Sequence, residues 1–199
     1  MGHRQAAVLA ADFERRGIAA VRVVSGGLGR QRDTAMAFTA GGLTVEIDEG
    51  WNEYDSDDVL EHHSEALARV ESSGDGPALT NREFQKIMDG GLIGWVEAGE
   101  TSPTAESFPS FRARCRAALD RLAEPLGPGE TAIACTSGGV IAALTLDLLG
   151  APPAVMVPLN RVAVNTAVTR IVHGKSGATL IAFNEISHLD GEAGLRTGR

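Results

Sequence analysis

The order of apolar runs and glycine breaks in this 199-residue chain predicts an α/β sandwich with a largely parallel sheet. Two observations carry that expectation. Short apolar runs with the length of buried strands alternate with stretches of helical periodicity. Two of the runs also end in small, flexible loops that open helices: Ser25-Gly26-Gly27-Leu28-Gly29 and Cys135-Thr136-Ser137-Gly138-Gly139. In sheets of this kind ligands bind at the carboxyl ends of strands, which is where both loops fall.

The elements follow in order. His3 to Arg16 reads as a helix with Ala6, Leu9, Ala10 and Phe13 on one face, ended by Gly17. Ala20–Val24 reads as a short buried strand, Leu28–Thr39 as the next helix and Leu43–Asp48 as a second strand. Asp48 to Glu61 carries seven acidic residues and no basic one, so it reads as a solvated loop or a helix start. Asn81 to about Met88 is helical, and so is Ser107–Glu124, where Phe108, Phe111, Cys115, Ala118 and Leu122 keep helical spacing. Leu126-Gly127-Pro128-Gly129 breaks the chain before the strand Thr131–Thr136. Gly139–Leu149 is a helix that Gly150 and Pro152-Pro153 end. Strands Ala167–Val172 and Thr179–Phe183 close the chain around a Gly-Lys-Ser-Gly turn.

Composition removes several classes of function. A hydrophobic fraction of 43% and a mean hydropathy of -0.02 suit a single soluble domain with a core of its own. No apolar stretch approaches a membrane span, and the amino terminus runs into an amphipathic helix with no signal-peptide pattern, so neither membrane nor export is expected. The net charge of -8 argues against a nucleic-acid partner. Cys115 and Cys135 read as buried apolar residues without metal spacing, and a cytoplasmic location is expected. No cofactor and no metal are expected.

The glycine loops carry the chemistry. A strand that ends in a glycine turn and opens a helix exposes unpaired N–H groups and the positive end of the helix dipole, a cradle for an anion. Gly138 sits in the second cradle. Beside the first stands Arg30, whose planar fork suits phosphate oxygens, although pairing with Asp33 along its own helix is the plainer role. Ser137 can contact phosphate, cap the following helix, or do both. The histidines offer little: His173 sits in a hairpin turn, His62 and His63 in an acidic surface segment, His188 near the carboxyl terminus and His3 in a first helical turn.

Ser25 to Ala35 resembles the "S-x-x-L-x-R-x-x-x-T-A" segment of the histidine phosphatase superfamily, the phosphoglycerate-mutase-like fold. Gly2-His3-Arg4-Gln5-Ala6 is similar to the helix start before that segment. Trp51-Asn52-Glu53-Tyr54-Asp55 falls where the family places its proton-donating acid. Thr136-Ser137-Gly138-Gly139-Val140-Ile141 resembles the second catalytic loop, and Asn165-Thr166-Ala167-Val168-Thr169 the closing strand. The resemblance implies a three-layer sandwich over residues 1–199 with a substrate cap at about 50–106. It implies metal-free phosphoryl transfer to and from a phosphorylated small molecule, with Arg30 as an oxygen clamp and Glu53 as the general acid. A histidine in an Arg-His-Gly strand would be the nucleophile.

Two departures from the pattern stand out. The resemblance places the Arg-His-Gly strand ahead of Met1, so the expectation is an N-terminally truncated domain that is inactive as written. Ser137 occupies the position of the second histidine, keeping a hydroxyl and losing a positive charge. Two alternatives follow: a non-catalytic relative that binds a phospholigand or a protein, and a serine hydrolase using Ser137. The nucleophile elbow of such hydrolases wants glycine where Cys135 stands.

Overall fold

The computed structural model describes residues 1–39, 41–64, 80–192 and 194–198. Helix α1 (Gly2–Arg15) ends at Gly17, whose positive φ of 67° suits the glycine stop expected there. Strand β1 (Arg22–Ser25) follows, then α2 (Gly29–Met36) and β2 (Val45–Ile47). A 3₁₀ turn at Glu49–Trp51 leads to α3 (Ser56–His63), whose first amides at Asp57 and Asp58 are capped by the Asp55 carboxylate. The acidic stretch, expected as a solvated loop or a helix start, is a 3₁₀ turn with Trp51 buried rather than solvated, and then the expected helix start.

Helix α4 spans Asn81–Ala98, ten residues beyond the expected end at Met88. Gly90-Gly91 does not break it, because tertiary packing outweighs the local cost of glycine. A Cβ at Gly91 would meet Leu60 Cδ2 at 2.9 Å, and one at Gly94 would meet His63 Cβ at 3.1 Å. The glycines let α3 and α4 approach closely. Helix α5 (Phe108–Ala123) buries the predicted face, Phe108, Phe111, Cys115, Ala118 and Leu122, with Ser107 Oγ accepting from Ser110 N at its start. Strand β3 (Ala132–Cys135) leads into α6 (Gly138–Leu148), an apolar helix covered on most sides. Helix α7 (Met156–Val162), unexpected from the sequence, anchors Met156 and Val157 in the core. Its Pro158 lies in the first turn, where no amide partner is lost.

Strands β1 to β3 form a parallel sheet in the order β2-β1-β3, with Val23 opposite Val45 and Ile133, and Ser25 opposite Ile47 and Cys135. The alternation of side chains divides the core in two. Val23 joins Ala35, Cys135, Phe38 and Leu43 on the α1–α2 face, where Phe13 of α1 meets Phe38 at 5.4 Å. Val24 joins the main core on the α5–α6 face, around Trp95, Phe108, Phe111, Val140 and Leu146. The result is the expected three-layer α/β sandwich. Strands β4 (Val168–Gly174) and β5 (Gly177–Glu185) form a separate antiparallel pair around the predicted turn. Among the described residues β3 pairs on its β1 side alone, yet Ala132 and Ala134 of β3 and Ile171 and Ala178 of the hairpin rest on one core.

Candidate active site

The chain leaves β1 for β2 on one side and β3 lies on the other, so a crevice opens at the carboxyl ends of β1 and β3. Both glycine loops meet there. Gly26 N donates to the carbonyl of Cys135 at 3.3 Å, tying one loop to the other strand. The site is floored by Gln31, 2% exposed, whose Nε2 donates to Ser137 Oγ at 2.9 Å and to the Trp51 carbonyl at 3.0 Å. A Cβ at Gly26 would fall 2.1 Å from Gln31 Oε1, so this loop must be glycine for the floor to sit beneath it.

The four residues singled out from the sequence come together. Arg30, in the first turn of α2, donates from Nη2 to Ser137 Oγ at 3.2 Å, across the two loops. The helix pairing with Asp33 is not formed by Arg30; Asp33 instead lies 4.0 Å from His3 Nε2. Ser137 occupies the N-cap position of α6 and its carbonyl accepts from Ile141 N at 3.2 Å, but its hydroxyl makes no capping bond. Of the roles left open for Ser137, side-chain capping is not formed: both donors, Arg30 and Gln31, pull the hydroxyl toward the α2 loop. Gly138 opens α6, and the next amide, Gly139 N, donates to Glu53 Oε2 at 3.1 Å. Glu53 thus lies against the positive end of α6, a favourable place for a carboxylate. Thr136 Oγ1 donates to the Trp51 carbonyl at 2.6 Å, closing the second loop onto the Glu53 segment.

Sequence reasoning missed Gln31, Asn52, Glu106 and Arg114. Asn52 Oδ1 accepts from Gly27 N at 2.6 Å, so it fills part of the first cradle. Arg114 of α5 makes two 2.7 Å bonds to the Glu106 carboxylate and reaches the carbonyls of Glu49, Gly50 and Asn52 at 3.3, 3.0 and 2.9 Å. The Glu106 hydrogen bonds outweigh desolvation and raise its already high pKa, so it is a fixed cation. Asn52 stands beside Glu53 in the segment already marked, which is a signal of sorts. The Glu106–Arg114 pair spans a helix boundary and has none. Trp51 and Tyr54 belong to the core, 3% and 5% exposed. Beside Glu53 opens a cleft of about 290 Å³ whose walls include Asn52, Asp58, Glu106 and Arg114.

The histidines lie elsewhere. His62 pairs with Asp58, His63 Nε2 bonds Ser102 Oγ at 2.8 Å, His173 is exposed on β4, and His188 Nε2 lies 3.3 Å from Thr166 Oγ1. Among the described residues none of them bonds Arg30, Gln31 or Ser137. Burial pushes the Cys115 and Cys135 thiols up to about 12, which makes them packing residues rather than nucleophiles. Among the described residues no cluster of three metal-ligating side chains forms, and no helix is long and apolar enough to cross a membrane.

The chain matches the family model of the histidine phosphatase superfamily (branch 1) over residues 1–186. It belongs to that superfamily. Solved structures of similar fold include mycobacterial glucosyl-3-phosphoglycerate phosphatase, at 23% identity and a TM-score of 0.63, covering 94% of this chain and 86% of that one. A histidine-to-alanine variant of Entamoeba histolytica phosphoserine phosphatase bound to phosphoserine gives 20% identity and a TM-score of 0.63, with 94% and 83% coverage. Alpha-ribazole phosphatase from Shigella flexneri gives 20% and 0.59, with 92% and 81% coverage. No curated protein matches the chain. At these identities the similarity shows the shared fold alone.

Proposed function

We propose that this chain binds the phosphoryl group of a small phosphomonoester in the crevice between its two glycine loops, as part of a metal-independent phosphatase or mutase-like site. The convergence of Arg30, Ser137 and the α6 amino terminus on one point carries the reading. Arg30 supplies a permanent positive charge for the equatorial oxygens, and the Gly138 amide and Ser137 hydroxyl supply neutral hydrogen bonds. In this reading the stretch of about 50–106 is the cap over the ester's organic part, of which 65–79 lie outside the described residues. The phosphate complex of the mycobacterial phosphatase and the 3-phosphoglyceric acid complex of the Entamoeba enzyme support a ligand of this kind.

Glu53 fits the role of general acid. An arriving phosphate and the Glu53 carboxylate compete for the same helix terminus, and two adjacent anions there favour proton uptake by Glu53. A protonated Glu53 then stands where it can protonate a leaving alkoxide. Covalent transfer needs a nucleophile as well, and the superfamily's histidine has no counterpart bonded to Arg30, Gln31 or Ser137 among the described residues. We therefore assign these 199 residues phosphoester binding with turnover at background. The non-catalytic, phospholigand-binding reading is the second one, favoured by the serine at position 137. Ser137 makes a poor hydrolase nucleophile, since its oxygen accepts from two donors, one of them cationic.

Calorimetric titration with inorganic phosphate and with orthovanadate tests the reading. Arg30→Ala is expected to weaken binding by about tenfold or more, the worth of one charge-assisted hydrogen bond. Equal affinities in wild type and Arg30→Ala would remove Arg30 from the site. Release of p-nitrophenol from its phosphate ester well above background would overturn the assignment of background turnover, and fluorophosphonate labelling of Ser137 would bring the serine hydrolase back.

A further inference from the structure

Four consecutive carbonyls precede Glu53, and all four are held. The Trp51 carbonyl accepts from Gln31 and Thr136, which belong to the two loops. Those of Glu49, Gly50 and Asn52 all accept from one nitrogen, Arg114 Nη1. The turn is thus clamped between α5 on one side and the glycine loops on the other. We infer that Arg114 is a positioning residue of this site: it fixes the 49–52 turn, and through it the Glu53 carboxylate on Gly139 N and the Asn52 amide on Gly27 N.

The geometry asks for arginine. The guanidinium directs Nε and Nη2 at the two Glu106 oxygens, 2.7 Å each, which leaves Nη1 aimed at the turn. Its Cζ also lies 5.0 Å from the centroid of the Phe111 ring, within the packed aromatic group of Tyr54, Trp95 and Phe108. Fork and ring together leave the nitrogen little freedom to wander. A lysine has one ammonium and cannot serve Glu106 and three carbonyls in fixed directions. The pair also links cap to crevice. The Glu106 carbonyl accepts from Trp95 Nε1 and Thr104 Oγ1, and Thr104 Oγ1 bonds Ser102 Oγ, which bonds His63. The α3–α4 region and the 49–52 turn therefore share one hydrogen-bonded frame.

The inference rests on the phosphate-site reading only for the purpose of Glu53 and Asn52, so its test reads their partners directly. In ¹⁵N-labelled protein the Gly27 and Gly139 amides report the two bonds, and the Val23 and Ala134 amides within the sheet serve as references. Arg114→Met is expected to shift or broaden Gly27 and Gly139 while the references stay, and to weaken phosphate at least tenfold. Arg114→Lys is expected to move the same two signals although it keeps the charge; it is the variant to read if Arg114→Met does not fold. A folded variant with lowered stability and both glycine signals in place would overturn the inference and leave Arg114 a packing residue. If the wild type binds no phosphate but the two signals still move, the phosphate reading falls and the role of Arg114 stands.

Discussion

Gly139 has no room for a side chain. A Cβ there would lie 2.1 Å from Glu53 Oε1 and 2.7 Å from the Tyr54 ring, so even alanine must push the carboxylate off its helix terminus. Gly139→Ala is expected to cost about 1–3 kcal/mol by overpacking, read from the urea midpoint, and to disturb the phosphate crevice as well. Gly29→Ala is the control, since a Cβ there meets nothing within 4 Å; a change within about 0.5 kcal/mol is expected. Equal losses at both positions would defeat the argument. Residues of this kind mark how far the sequence could be read. Arg30, Glu53, Ser137 and Gly138 were legible because loop chemistry and an ordered motif marked them. Gln31 was not, because a polar residue on a short helix gives no sign that its amide will be buried under a neighbouring loop. Arg114 was not, because its partners beyond Glu106 are main-chain oxygens more than sixty residues away, and carbonyls leave no trace in a side-chain pattern.

Elements were legible where local chemistry and tertiary demand agreed. The first two strands, β3 and the closing hairpin emerged within a few residues, since apolar runs bounded by glycine leave little choice. Helix α5 kept its apolar stripe over its whole length. Helix α4 was read too short because Gly90-Gly91 looks like a stop; it runs on because α3 packs closely against it at Gly91 and Gly94. Its start carries a capping box, Thr80 to Glu83, with Thr80 N donating to Glu83 Oε2 at 2.9 Å and Glu83 N to Thr80 Oγ1 at 3.3 Å. Helix α7 was missed because prolines on either side of Met156 argue for a loop, and only the core contact of Met156 and Val157 argues otherwise. The division into two sheets was equally out of reach, because a sequence names strands and not their neighbours.

For the molecule as a whole, acid is the natural stress. Burial holds His63 and His188 below the ordinary histidine range, with the neighbouring His62 adding to the effect at His63. The folded protein therefore resists protonation that the unfolded chain accepts. Stability is full above the unfolded value of about 6.5 and drains as pH falls toward the folded values. His62, raised mainly by the Asp58 carbonyl, is exposed and opposes this weakly. The urea midpoint is expected to fall between pH 7 and pH 5, and His188→Gln is expected to flatten that slope; an unchanged slope would remove His188 from the account. Glu46, held low chiefly by its hydrogen bonds to Arg22, gives way only in stronger acid. Such titrations can be followed by light. The chain has one tyrosine and two tryptophans, and the Tyr54 ring lies 5.1 Å from Trp95. At that range the excited phenol hands its energy to the indole before it can emit. The folded protein should show tryptophan emission alone, with a separate tyrosine band emerging on unfolding as a colour change built into the core beside Glu53.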